Sequence, residues 1–194
     1  MKIEQFRKID ILIFLVLMVF SGIASFFLSR SLDNDFYLSF SVLLLGIIMI
    51  RWKYIGIIPY AISQIILSLV QIVGFNYDIG ITLTANIGGC VLLPLLPLVL
   101  NKLKFEIKEN AFGLALYLLL VFILVGIGQS LVLLIVGETN IIGNFVFFMF
   151  KQEPLSFIVS LILIMLLRNS DNLMVDVKKH IINLRKEEGI NGRI

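Results

Sequence analysis

Gln64, Ser68 and Gln71 stand four and three residues apart inside the apolar stretch "YAISQIILSLVQIVGF". On a helix those offsets put all three side chains on one face. The chemistry such a face can do is limited to donating and accepting hydrogen bonds, since amides and hydroxyls hold no mobile proton near neutral pH. Residues of the same kind recur in the other apolar stretches: Ser25, Ser39, Asn86, Gln129 and Ser130. A buried amide without a partner costs several kcal/mol in hydrocarbon. These eight residues must therefore meet protein, water or a ligand, and they are the candidate ligand-binding set.

Other chemistries lack their residues. The chain has one histidine, His180, and one cysteine, Cys90. A single cysteine makes neither an intrachain disulfide nor a metal cluster, and Cys90 reads as a small core residue. Neither an H-E-x-x-H run nor an aspartate pair lies in an apolar stretch, which argues against intramembrane proteolysis. Catalytic residues, bound metal and cofactor are not expected, nor is an enzyme. Glu138, Lys151 and Glu153 read as lying at the outer edge, leaving the centre of every span uncharged. Ion- and proton-coupled transporters keep an ionisable group at mid-membrane, so the expected ligand is small and uncharged or amphipathic.

The elements that position these residues follow from composition. Of 194 residues, 59% are hydrophobic and 15% charged, against about a quarter charged in soluble domains. A spanning helix needs about 20 apolar residues, and the candidates are 11–28, 36–50, 54–73, 79–100, 111–136 and 154–168. The second is short and can be extended by snorkelling Arg51 and Lys53. The piece "NIIGNFVFFMF" before "KQEP" reads as an interfacial or re-entrant helix, or as the first half of one broken span. The first run is expected to act as an anchor, being long for a signal peptide and lacking a clear small-x-small site.

Charge placement supports that count. With the N-terminus inside, fourteen of the sixteen Lys and Arg residues fall in cytoplasmic segments, and only Arg30 and Lys151 fall outside. This is the bias that orients membrane proteins, and it leaves little reason to invoke nucleic acid. The expected fold is all-α: a polytopic integral membrane domain over 1–168, with six transmembrane helices and both termini cytoplasmic, then a cytoplasmic amphipathic tail over 169–194. Trp52 and Tyr54 would sit at the inner interface, Tyr37 and Tyr77 at the outer. In the tail, Leu173, Val177, Ile181 and Leu184 share a face opposite Lys178, Lys179 and Arg185. That pattern suits a helix lying on the inner lipid surface or against a partner.

This topology gives each polar group a depth. Ser21, Gly22, Ser25, Ser39, Ser41, Ser68, Gln71, Thr82, Thr84, Asn86, Gln129 and Ser130 fall in the outer half, and Gln64 near the midplane. The inner halves read "ILIFLVLMVF", "VLLPLLPLVL" and "AFGLALYLLLVFIL". A shared outer cavity would accommodate the polar groups together. Hydrogen bonds between helices, worth about 0.6 kcal/mol each, would accommodate them one by one.

Six helices, cytoplasmic termini and a polar outer half over a bare inner half resemble the substrate-binding S components of energy-coupling factor (ECF) transporters. The resemblance implies capture of a vitamin-like small molecule near the outer face of a bacterial plasma membrane. It also implies docking on a transmembrane coupling subunit and two ATPases. That family commonly presents small residues on its first helix, whereas here the inner half of helix 1 is bulky. The competing expectation is a small scaffold or accessory subunit, with polar residues that only join helices and a tail that recruits a partner.

Overall fold

In a computed structural model of the chain, residues 3–31, 37–98, 110–137, 140–168 and 177 are described. Among them every regular element is helical: α1 (Ile3–Ser31), α2 (Ser41–Trp52), α3 (Ile57–Phe75), α4 (Ile79–Gly88), α5 (Ala111–Leu133), α6 (Ile141–Phe147) and α7 (Pro154–Leu167). Short 3-10 turns follow α2 and α5, and a π-turn, Phe148–Gln152, follows α6. Lipid cannot hydrogen-bond a peptide group, so an apolar chain in a membrane must satisfy its backbone within each helix.

Four helical runs are long and apolar enough to cross a membrane: Glu4–Ser31, Ser41–Phe75, Ile79–Leu98 and Ala111–Val136. A fifth is counted if Ile141–Gln152 and Pro154–Leu167, bent by 58° from each other, form one span. Along α1, Ile9, Leu12, Ile13, Val16 and Phe20 are each at least half exposed. They form a stripe with helical period, the surface a lipid-facing helix presents. The molecule is therefore a helical membrane protein.

The run Ser41–Phe75 does not continue straight. Lys53 adopts φ 53° and ψ −128°, a left-handed conformation in which an L side chain is strained. The chain folds back there, and a Cβ on Gly56 would come within 3.0 Å of the Ile48 and Met49 backbone. A larger residue there would have to push the two backbone segments apart. As a result Ser41 at the start of α2 and Leu67 late in α3 both lie against Gly22 of α1.

At the opposite end of α2, the Asp10 carboxylate accepts from Arg51 Nε at 2.7 Å and from Trp52 Nε1 at 2.6 Å. Arg51 is 4% exposed and Trp52 6%, so both close the bundle end. This differs from the expected snorkelling arginine and interfacial tryptophan; the carboxylate on α1 gives both donors a buried partner.

The next hairpin, between α3 and α4, is tight. Asn76 takes the left-handed conformation and its N–H returns to Ile72, while the Tyr77 N–H reaches Gln71. This is the helix-ending arrangement that asparagine tolerates. Asp78 then caps α4 by accepting from the Ile81 N–H. Past Gly88 the chain continues through i−3 hydrogen bonds to Leu95, a tightening to be expected where Pro94 and Pro97 supply no N–H. Helices α4 and α5 pack backbone to backbone: a Cβ on Gly128 would sit 2.5 Å from the Gly88 carbonyl oxygen. Small residues permit this approach in membranes.

The last two helices descend along α5. Phe148 fills the space over Gly126, and further down Phe157 meets Phe122 edge-to-face at 5.3 Å. Of the expectations for 140–168, the 58° bend and these contacts accommodate both a re-entrant helix followed by a span and one broken span. Below this level the core is closed and apolar, with Leu45, Ile48, Leu114, Leu118, Val121, Phe122 and Ile164 all at 0% exposure. Tyr117 donates to the Gly46 carbonyl at 2.7 Å, so its hydroxyl is satisfied.

The expected tail helix lies outside the described residues except for Val177, which is helical and packs into the apolar core. Lys102, Lys104, Lys108 and Glu138 lie outside them too.

Candidate functional site

Before α2, residues 37–40 form an irregular strap, and the Ser39 and Phe40 N–H groups find their partners on other elements. The Phe40 N–H donates to Ser21 Oγ on α1 at 2.8 Å, and the Ser39 N–H to Ser156 Oγ on α7 at 3.0 Å. Ser156 in turn donates to the Tyr37 carbonyl at 3.5 Å. Part of the intramembrane polarity therefore holds irregular backbone in an apolar setting.

Behind the strap lies a cavity of about 30 Å³. The strap and α2 supply Tyr37, Ser39 and Ser41; α3 supplies Tyr60 and Gln64. Asn86 comes from α4, Gln129 from α5, and Phe148, Gln152 and Glu153 from the π-turn and the break after it. One water needs about 10–15 Å³ of such volume, so the cavity has room for about two. It is far smaller than the several hundred Å³ of a drug-sized ligand site.

Four of the eight candidate residues, Ser39, Gln64, Asn86 and Gln129, line this space. The other four do not. Asn86 Nδ2 donates to Gln71 Oε1 at 2.8 Å and to Ser68 Oγ at 3.0 Å, and Ser68 donates to the Gln64 carbonyl. Gln71 and Ser68 thus clamp α3 to α4. Ser130 bonds back to the Gly126 carbonyl on its own helix, and Ser25 is buried on α1 beside Tyr37. The face carrying Gln64, Ser68 and Gln71 divides its roles: one amide to the cavity, the other two groups to helix pairing.

Glu153, expected at the outer edge of its span, is instead buried inside the bundle. Glu153 is 4% exposed, lines the cavity, and its Oε2 has no hydrogen-bond partner among the described residues. The chain turns it inward at the helix break. The Glu153 N–H bonds five residues back to Phe148, and Pro154 opens α7. Proline has no N–H and suits the first turn of a helix. Glu153 itself takes φ −108°, ψ 2°, in the sparsely populated bridge region. Mid-helix π-turns often mark functional positions. In the sequence, "KQEP" looks like an outer loop; the available signal was an acid directly before proline, between two apolar pieces each short for a span.

Among the described residues no group of three or more His, Cys, Asp or Glu side chains could hold a metal ion. The arrangement offers one carboxylate, several neutral oxygens and amides, and the aromatic rings of Tyr37, Tyr60 and Phe148. Chemically it can bind and orient. Fold and cavity together define a helical membrane protein with a small, polar, acid-containing chamber inside the bundle. No family model, curated protein or solved structure matches the chain.

Proposed function

We propose that this chain is the membrane-embedded substrate-binding subunit of a transporter, capturing a small solute in the cavity behind the 37–40 strap. One observation carries the reading: four separate parts of the fold send Gln64, Asn86, Gln129 and Glu153 to a single polar space inside an otherwise apolar bundle. A scaffold needs hydrogen bonds between helices, and the Gln71–Asn86–Ser68 clamp already supplies them.

In this reading the chain crosses a bacterial plasma membrane six times, with both termini cytoplasmic and the cavity towards the outside. The fold-back at Lys53 supports counting α2 and α3 separately, and the descent of α6 and α7 along α5 accommodates one broken sixth span. A coupling subunit and ATPases of the ECF kind would complete the machine. The chamber has a volume of about 30 Å³, and admission of a larger solute would require the strap or the helix break to move.

The test is ligand-dependent stabilisation of the purified chain in detergent across a panel of small solutes. Bound ligand adds RT ln(1 + [L]/Kd), about 2.7 kcal/mol at a hundredfold excess. Gln129→Leu should weaken that binding by about 1–3 kcal/mol and leave the unliganded fold at least as stable. The scaffold reading is favoured by the small cavity volume. It predicts that no solute raises the melting temperature and that Gln129→Leu lowers it.

A further inference from the structure

Glu153 sets the chemistry of whatever fills the cavity. It is 4% exposed, and its Oε2 is buried without a hydrogen-bond partner among the described residues. Among the described residues, none of the side chains lining the chamber is cationic. Lys151, two residues away, is exposed with its ammonium 6.0 Å from the Phe147 ring centroid. Buried charges in proteins are paired, bound to a metal, or neutralised. The described surroundings of Glu153 provide no countercharge, and the adjoining cavity has room for one.

We infer that the Glu153 chamber binds a monovalent cationic centre of sodium or ammonium size, either as a free ion or as the ammonium head of a captured amine. The inference rests on the binding-cavity reading and names the occupant's charge and size. Charge comes from the single carboxylate: one positive charge makes the site neutral, whereas a divalent ion would leave an excess buried charge. Size comes from the roughly 30 Å³ available, room for about two waters.

The remaining lining matches. The lining residues Ser39, Ser41, Gln64, Gln129 and Tyr60 carry neutral oxygens of the kind that can replace a hard cation's water shell. The Tyr37, Tyr60 and Phe148 rings suit an ammonium group. Placement at a helix break also fits, because irregular backbone inside a membrane is tolerated where it lines a cavity.

The experiment measures thermal unfolding of the full chain in detergent, at fixed pH and ionic strength. N-methylglucamine is replaced stepwise by sodium, potassium, ammonium or methylammonium. A saturable rise in melting temperature with sodium or ammonium, lost in Glu153→Gln, is the expected result for a free ion. A rise with methylammonium alone, lost in the same variant, assigns the site to an amine head.

The inference is overturned if none of the four cations shifts the parent, if Glu153→Gln keeps the full shift, or if only acidification stabilises the parent. The last outcome would make the occupant a proton. Should Glu153→Gln fail to fold, Gln64→Leu replaces it, with a reduced cation response expected and an unchanged one overturning the inference. Neutral solutes that stabilise the parent and Glu153→Gln equally would leave a binding cavity standing without its cation.

Discussion

Two buried carboxylates lie at different levels of the bundle, and their surroundings differ. Asp10 accepts from Arg51 and Trp52, so its charge is paired and the helices that bear these groups are tied together. Glu153 faces a cavity with one oxygen unpartnered. An acid whose needs are met within the chain adds structure. One whose needs are unmet leaves a demand for something from outside the chain. The apolar packing follows the same division, with a closed core between the two levels and an open chamber around Glu153.

The largest effect should come from breaking the satisfied end. Asp10→Ala removes the partner of a buried arginine, a change that costs about 3–5 kcal/mol in comparable pairs. Denaturation in detergent should register a loss of that order; a loss under about 1 kcal/mol would mean that Arg51 is held by other contacts.

Next is the α4–α5 contact beneath the cavity wall. A Cβ on Gly128 would press on the Gly88 carbonyl, so Gly128→Ala should destabilise by about 1–3 kcal/mol through overpacking. If thermal unfolding of this variant matches the parent, the two backbones are further apart than described.

A smaller difference separates two glutamines of the candidate set. Gln71→Leu deprives Asn86 Nδ2 of one acceptor and should lower stability by about 1 kcal/mol. Gln129→Leu, facing the cavity, should not. Equal losses in the two melts would erase the distinction between clamp and chamber. Smallest of all is Lys53→Gly, which relieves the left-handed residue at the α2–α3 fold-back and should stabilise by about 0.5–1 kcal/mol. Destabilisation would show that contacts of the lysine side chain outweigh the strain.

Much of this contrast can be read in the sequence, and its limits have physical causes. Helix positions are legible because lipid forces backbone satisfaction within apolar runs: 54–73 and 111–136 fall close to Ile57–Phe75 and to Ala111–Leu133 with its 3-10 extension. Ser39, Gln64, Asn86 and Gln129 can be grouped by depth alone, since polar atoms at one level of an apolar bundle tend to find one another. Depth does not tell which of them bond to each other, so Ser68 and Gln71 look the same as Gln64 until Asn86 is placed.

Glu153 is hidden because the sequence places it at the outer edge of a span, whereas at the 58° bend the residue is buried. The strap was hidden because 36–50 looks uniformly helical. Its irregular backbone depends on hydroxyls from α1 and α7, more than fifteen residues away in either direction.

The central claim is that the two acids differ in kind, and paired melts of Glu153→Gln and Asp10→Asn in one detergent, without small cations, test it most directly. Removing an unpaired buried charge relieves a cost, while removing a paired one abandons its partner. Glu153→Gln is therefore expected to melt at or above the parent and Asp10→Asn well below it. Should Glu153→Gln fall as far as Asp10→Asn, Glu153 would be a structural acid like Asp10, and the chamber would have no claim on an outside ligand.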